Sequence, residues 1–222
     1  MNDRIQKIFH ESIEVKKAAL SANLAAIEQA VHALTKSLNS GGKILLFGNG
    51  GSAADSQHIA AEFIGRFQKE RRALPAIALT TDTSALTALG NDYGFDIVFS
   101  RQIEALGRKG DIAFGISTSG NSKNVLAAIK KAKEMGLVTI SLTGNDGGTI
   151  APLADIKLNV PSKVTARIQE SHITIAHTIC ELVEEQFSGW FLIDEWLFRD
   201  DRFDKKNYFN WFFEKETGSF AS

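Results

Sequence analysis

The segment GKILLFGNGGSAADSQHIAAEF, residues 42–63, is the part of the sequence that says most about the fold. It begins with a short apolar run, continues through a glycine-rich loop and ends in a sequence with helical spacing. A continuous apolar run bounded by turn residues is typical of a strand that is buried on both faces of a parallel sheet. Glycines let a backbone approach a ligand closely, and the free N–H groups at the start of a helix attract anions. The segment therefore predicts a strand-loop-helix unit with a ligand site at the loop.

Four more apolar runs follow along the chain, and helical segments separate most of them. The apolar runs are AIAL, DIAFGI, VTISL and IKLNV, at 76–79, 111–116, 138–142 and 156–160. The helical segments are at about 53–67, 84–89, 96–106, 122–135 and 165–187. This alternation predicts an α/β protein, a doubly wound three-layer sandwich around a parallel sheet.

Helical spacing of apolar residues from Ile5 to Leu38 predicts a long amphipathic helix, or two helices in sequence, before the first strand. We divide the chain into an N-terminal helical segment at 1–40, an α/β domain at 41–187 and a C-terminal extension at 188–222. The extension carries 11 of the chain's 20 aromatic residues. This density favours packing against the body of the protein or a neighbouring subunit, and recruitment of another protein is the alternative.

Charge and composition limit the classes of function. The 25 Lys and Arg residues balance 26 Asp and Glu, so a nucleic acid or membrane partner is not expected and any anion must bind locally. The single cysteine, Cys180, lies in an apolar run, where we expect a small core residue, and it cannot form an internal disulfide. The N-terminus lacks the apolar stretch of a signal peptide, and no window approaches the roughly 20 apolar residues of a membrane span. We expect a cytoplasmic protein.

The first glycine loop, Gly48 to Ala53, matches the form G-x-G-x-x-A of a dinucleotide fingerprint. The acidic residue that should follow about 20 positions later is not well placed, because the nearest candidate after the second strand is Asp82. Nucleotide binding therefore stays open as an alternative for this loop, and the fingerprint alone does not establish it.

The second loop, STSGNS at 117–122, gathers four hydroxyl side chains and a glycine at the start of a helix. A phosphate there can accept hydrogen bonds from the hydroxyls and from backbone N–H groups without any lysine or arginine. A helix N-cap would explain a single serine, but four hydroxyls in six positions favour a ligand site. Because no G-K-[ST] motif is present, the loop suits a sugar phosphate better than a nucleotide.

Two helical segments carry residues that can bind a metal. His58 and Glu62 are four residues apart, hence on one face of a helix, one turn apart. Gln169 and His177 lie about 80° apart around the last helix, and His172 is near the same stripe. Histidine and carboxylate are ordinary Zn²⁺ ligands, whereas glutamine is less usual. For His58 and Glu62 alone, an exposed helix pair is the alternative.

Together these motifs resemble the sugar isomerase (SIS) domain family and, within it, the sedoheptulose 7-phosphate isomerases, also called phosphoheptose isomerases. The likeness runs from about residue 4 to residue 187. Besides the segment at 42–63, the motifs that carry it are GNDYGF at 90–95, GISTSGNS at 115–122, SLTGNDGG at 141–148 and RIQESH at 167–172.

The resemblance implies a five-stranded parallel sheet between helices and a homotetramer whose active sites lie at subunit interfaces. It also implies conversion of sedoheptulose 7-phosphate to D-glycero-D-manno-heptose 7-phosphate, which supplies heptose for a cell-surface polysaccharide. One Zn²⁺ per subunit is expected on His58, Glu62, Gln169 and His177, with Glu62 as the base and His177 as the acid. The substrate would also contact Asn49, Gly50, Gly51, Arg66, Asn91 and Asp92, and its phosphate would bind Ser117, Thr118, Ser119 and Ser122.

One position departs from the family pattern, because Ala166 stands where an aspartate is common three residues before the glutamine. This puts a supporting contact in doubt. Two non-catalytic alternatives share the fold: a regulator of replication similar to the DnaA-initiator-associating protein, and a regulatory module that binds sugar phosphates without turnover. The presence of Glu62 and of the complete STSGNS loop favours the enzyme.

Overall fold

Five apolar segments form one parallel sheet, and their side chains are buried because helices cover both faces. A computed structural model describes residues 1–188, so the predicted extension at 188–222 lies outside the described residues except for Ser188. Each strand begins and ends within two residues of the apolar run that predicted it, the first of these being KILLF at 43–47. The order in the sheet is β2-β1-β3-β4-β5. The strands are β1 (Ile44–Gly48), β2 (Ala76–Ala78), β3 (Ile112–Ser117), β4 (Val138–Gly144) and β5 (Ile156–Val160).

Six α-helices surround the sheet in the described part of the chain. The segment before β1 is a single long helix, and the predicted helix at 96–106 is a 3₁₀ turn, Phe95–Ile97, followed by a shorter α-helix. The helices are α1 (Asn2–Asn39), α2 (Gly51–Ile64), α3 (Thr83–Tyr93), α4 (Val98–Leu106), α5 (Lys123–Glu134) and α6 (Thr165–Glu185). A second 3₁₀ turn, Ala151–Leu153, precedes β5.

The two faces of the sheet have separate apolar cores. Helices α1, α2 and α6 bury residues such as Leu34, Phe63 and Ile179 against one face. Helices α4 and α5 bury Phe99 and Ile129, among others, against the other face. This arrangement confirms the doubly wound, three-layer α/β sandwich.

Cys180 is buried as expected, and burial raises the pKa of its thiol to about 12. Among residues 1–188, no helix combines the length and apolar character that a membrane crossing requires.

The strand order places the two loops of interest side by side. The chain leaves β1 toward β2 on one side and then returns to β3 on the other side of β1. Ligands of open α/β sheets bind at the carboxyl ends of the strands at such a switch point. Gly48 at the end of β1 pairs in register with Ile116, next to Ser117. The glycine loop and the serine loop are therefore neighbours.

Helix α1 closes the outer edge of the sheet through a buried asparagine. The side chain of Asn23 donates to the carbonyl of Asn159 at 2.8 Å and accepts from the N–H of the same residue at 2.7 Å. It thus supplies the backbone of edge strand β5 with partners that a sixth strand would otherwise provide.

We expect Asn23→Ala to lower the free energy of unfolding by about 1–3 kcal/mol, because it removes the side-chain partners of the N–H and C=O groups of the half-buried Asn159. Urea denaturation followed by circular dichroism measures the change. Ser21→Ala, which removes an exposed hydroxyl from the same helix, is the control and should stay within about 0.5 kcal/mol of the wild type. Equal stability of the two variants would contradict this role for Asn23.

Candidate active site

The hydroxyl groups of the serine loop converge on one point. Ser117 ends β3, and its Oγ lies 2.9 Å from that of Ser122 and 3.5 Å from that of Ser119. Ser122 is the N-cap residue of α5, but its hydroxyl contacts Ser117 and makes no capping hydrogen bond within the described residues. A simple helix cap therefore does not explain this serine. The loop offers hydroxyls and a helix N-terminus to an anion.

The segment after β4 holds the serine loop in shape. Gly120 adopts a φ of +65° and packs so closely on the backbone of Gly147 that a Cβ atom would collide with it. Two hydrogen bonds of 3.0 Å fasten the loop to this segment, from the N–H of Ile150 to the Gly120 carbonyl and from the N–H of Thr149 to Asn121 Oδ1. The end of the motif SLTGNDGG and the two residues after it thus support the serine loop.

Asn49 of the glycine loop is tied to the serine loop by a second asparagine. The side-chain amides of Asn49 and Asn124 exchange two hydrogen bonds of 2.8 Å. Asn124 is buried near the start of α5, and the sequence analysis did not select it. Gly50, with a φ of +57°, precedes α2 and has open space beside it, and Gly51 begins the helix with the side chain of Gln169 packed against it.

Three side chains from two helices form a cluster with the character of a metal site. The ligand atoms of His58, Glu62 and His177 lie within 4.8 Å of one another. His58 Nε2 is 2.9 Å from Glu62 Oε1, and the rings of His58 and His177 are 5.0 Å apart. An exposed helix pair would not explain why α6 adds a second histidine to the pair on α2.

The polar atoms of this cluster fit a metal ion. Within the described part of the chain, the buried Nε2 of His177 has no hydrogen-bond partner. Buried polar atoms normally have one, so a cation is a fitting partner for this nitrogen. Two imidazoles and a carboxylate are a donor set that transition metals such as zinc accept.

Asp55 is a further polar residue of this region that the sequence analysis missed. It lies one turn before His58 on α2, and its Oδ2 is buried without a partner among residues 1–188. Burial raises the pKa of its carboxyl, and the neighbouring imidazoles of His58 and His177 oppose that rise. The spacing of Asp55, His58 and Glu62, at three and then four residues, could have indicated it.

His172 lies outside the cluster. It is fully buried on α6, and its Nε2 is 2.9 Å from the carbonyl oxygen of Thr143 on β4. Burial lowers the pKa of His172 to about 4, so the ring is neutral at pH 7 and its Nε2–H donates to that carbonyl. This bond fastens α6 to the strand beside Ser117.

The remaining predicted residues occupy several places. Gln169 packs against Gly51 at the start of α2, and its membership of the metal site stays a prediction. Arg66 is exposed beyond the end of α2, 3.6 Å from the carboxylate of Glu70. Asn91 and Asp92 are exposed at the end of α3 and bond to each other at 2.8 Å. The roles of Arg66, Asn91 and Asp92 stay predictions as well, as does the role of Thr118.

Comparison with known proteins supports this fold and indicates the family of the chain. The SIS domain family matches residues 8–144. The phosphoheptose isomerase of Aquifex aeolicus (strain VF5) is 58% identical over 185 residues, which cover 83% of this chain and 97% of that protein. The phosphoheptose isomerase of Helicobacter pylori (strain P12) is 54% identical over 188 residues, which cover 85% of this chain and 98% of that protein.

A solved structure agrees with these relatives. Phosphoheptose isomerase GmhA from Neisseria gonorrhoeae superimposes with a TM-score of 0.79 at 51% identity, over 83% of this chain and 98% of that chain. From the identity and the coverage, we conclude that the chain belongs to the SIS domain family and, within it, to the phosphoheptose isomerases, a group of phosphosugar isomerases.

Proposed function

We propose that this chain converts sedoheptulose 7-phosphate to D-glycero-D-manno-heptose 7-phosphate. The proposal depends on the observation that the same chain contains a loop of converging hydroxyl groups, the serine loop, and a cluster of His58, Glu62 and His177. The first suits a phosphate, and the second suits proton transfer with metal assistance. Relatives named phosphoheptose isomerase, at 54–58% identity, support the choice of substrate and favour an enzyme over the non-catalytic alternatives.

The serine loop holds the phosphate in this proposal. Ser117, Thr118, Ser119 and Ser122 donate hydroxyl hydrogen bonds, and the first N–H groups of α5 add theirs. The phosphate takes no part in the reaction, but its binding energy fixes the reacting carbons in place. Contacts with the sugar itself come from Asn49, Gly50, Gly51, Arg66, Asn91 and Asp92.

The isomerisation moves a carbonyl from C2 to C1 through an enediol. Glu62 removes a proton from C1 and later returns one to C2, while His177 exchanges protons with the two sugar oxygens. Each step conserves charge and protons, because the proton removed from carbon reappears on carbon and the oxygens trade one proton. Glu62 and His177 lie close enough together to serve the same two carbons.

The metal in this proposal is one Zn²⁺ per subunit, which His58, Glu62 and His177 of one chain would bind; Gln169 would be the fourth ligand and would come from another subunit. When bound, Zn²⁺ supplies Lewis-acid polarisation of the sugar oxygens. The buried, unpartnered Nε2 of His177, among the described residues, is the observation that best supports a metal there.

We propose that the active sites are shared between the subunits of a homotetramer. Gln169 and His177 are eight residues apart on α6, which is about 12 Å along the helix axis. A metal common to both in one chain would need both side chains fully extended toward each other, yet Gln169 contacts Gly51. Gln169 is therefore assigned to the site of a neighbouring subunit. A cytoplasmic location and heptose supply for a cell-surface polysaccharide complete the proposal.

Glu62→Gln should lower the rate of isomerisation by about 10²–10⁴-fold, because the amide cannot accept the C1 proton. Sedoheptulose 7-phosphate is incubated with the zinc-loaded protein, and the aldose is quantified by NMR. Binding of the substrate, measured by calorimetry, should persist. The control is Glu134→Gln, an exposed carboxylate on α5 that should keep wild-type activity. A Glu62→Gln variant that retains turnover would exclude Glu62 as the base.

Ser122→Ala should weaken binding of the sugar phosphate by about 10–100-fold, since a hydrogen bond to a charged group contributes about 1.5–3 kcal/mol. We expect KM to rise by this factor while kcat changes less. Ser100→Ala, which removes a hydroxyl bonded to the Ile97 carbonyl at the start of α4, serves as the control. Unchanged KM in Ser122→Ala would contradict the phosphate site.

A further inference from the structure

A buried ion pair lies behind the His–Glu–His cluster. Arg71 Nε is 3.3 Å from Glu184 Oε1, and the two side chains are only 1% and 2% exposed. Arg71 belongs to the loop between α2 and β2, and Glu184 lies on α6, two turns after His177. The sequence analysis assigned neither residue a role.

Glu184 binds the first part of this loop through its carboxylate. It accepts three hydrogen bonds from consecutive backbone N–H groups: Phe67 at 2.7 Å, Gln68 at 2.6 Å and Lys69 at 2.7 Å. Burial raises the pKa of Glu184, but the three donors and Arg71 together lower it below its usual range. Glu184 is therefore a charged anchor that holds the loop on α6.

Arg71 binds the end of helix α2 through its guanidinium. Its Nη2 donates to the carbonyl of Glu62 at 2.7 Å, and its Nη1 donates to those of Phe63 at 2.9 Å and Gly65 at 3.0 Å. The last carbonyls of a helix have no partner within it, so Arg71 supplies what α2 lacks. The cap thus includes the backbone of the residue whose carboxylate belongs to the cluster.

A single residue also connects the ion pair with His177. The ring of Phe67 lies 5.3 Å from the ring of His177, and the N–H of Phe67 donates to Glu184. Arg71 therefore contacts Glu62 directly. Glu184 is connected with His177 through a single residue, Phe67. The cluster residues Glu62 and His177 lie on different helices.

We propose that Arg71 and Glu184 are positioning residues for the metal cluster. They fasten the end of α2 to α6, so that Glu62 and His177 keep the separation that a shared metal requires. This inference rests on the proposed function, since it concerns the same site. Residues that orient metal ligands change the affinity for the metal, whereas a pair that only stabilises the fold leaves that affinity unchanged.

Glu184→Gln and Arg71→Lys test the proposal. Glu184→Gln keeps the shape of the side chain and removes its negative charge. Arg71→Lys keeps the positive charge but removes the guanidinium group, which donates to several carbonyls at once. Zinc affinity of the metal-free full-length protein is measured by competition with a chromophoric chelator. We expect a loss of about 10–100-fold in both variants, with a changed absorption spectrum of the Co²⁺ form. The rate constant kcat should fall while KM changes little, since the serine loop is intact.

Asp111→Asn is the matched control. Asp111 is also a buried carboxylate that accepts backbone N–H groups, those of Lys43 and Arg108, and pairs with the ammonium group of Lys43. It lies at the amino ends of β1 and β3, whereas the ligand loops lie at the carboxyl ends of these strands. We expect this variant to lose stability and to keep wild-type zinc affinity.

Phe67→Leu provides a second test of the proposal if the ion-pair variants do not fold. It removes the ring contact with His177 and leaves both charges in place, and we expect it to weaken zinc binding by several-fold. Wild-type zinc affinity in the folded variants, or an equal loss in Asp111→Asn, would overturn the inference. A wild-type protein without turnover would instead contradict the proposed function, so the two failures are distinguishable.

Discussion

The packing of α2 on α6 is the contact on which the proposed chemistry depends. Apolar residues of both helices, such as Ile59, Phe63 and Ile179, share one core against the sheet. This packing brings His177 to within a ring contact of His58, although 119 positions separate them in sequence. Neither helix alone carries enough ligands for a metal. The ion pair of Arg71 and Glu184 reinforces the same contact with charge and hydrogen bonds.

The parallel sheet imposes the second constraint. Because β1 and β3 are neighbours and parallel, their carboxyl ends deliver the glycine loop and the serine loop to one place. The chain is nearly neutral, so a phosphate cannot rely on a general positive field and must be held by local dipoles. Paired asparagines and a close glycine contact keep those dipoles fixed before a ligand arrives.

The sequence analysis predicted the five strands, because each is a short apolar run between turn residues. It predicted the ends of α2 less well: the helix stops at Ile64 rather than residue 67, because the following residues bind the carboxylate of Glu184. Asn124 and Arg71 could not be selected from the sequence for a related reason. Their partners or neighbours in space are set by tertiary packing, and no local period or motif marks them. The serine loop was visible because its residues are consecutive.

In the proposed reaction, this chain interconverts a ketose and an aldose by moving a proton between two carbons. The most direct measurement is ¹H NMR of sedoheptulose 7-phosphate incubated with the zinc-loaded protein in D₂O, before and after treatment with a chelator. We expect D-glycero-D-manno-heptose 7-phosphate to appear with deuterium at C2 and the chelator to stop the reaction. Absence of the aldose after zinc is restored would contradict the proposed reaction.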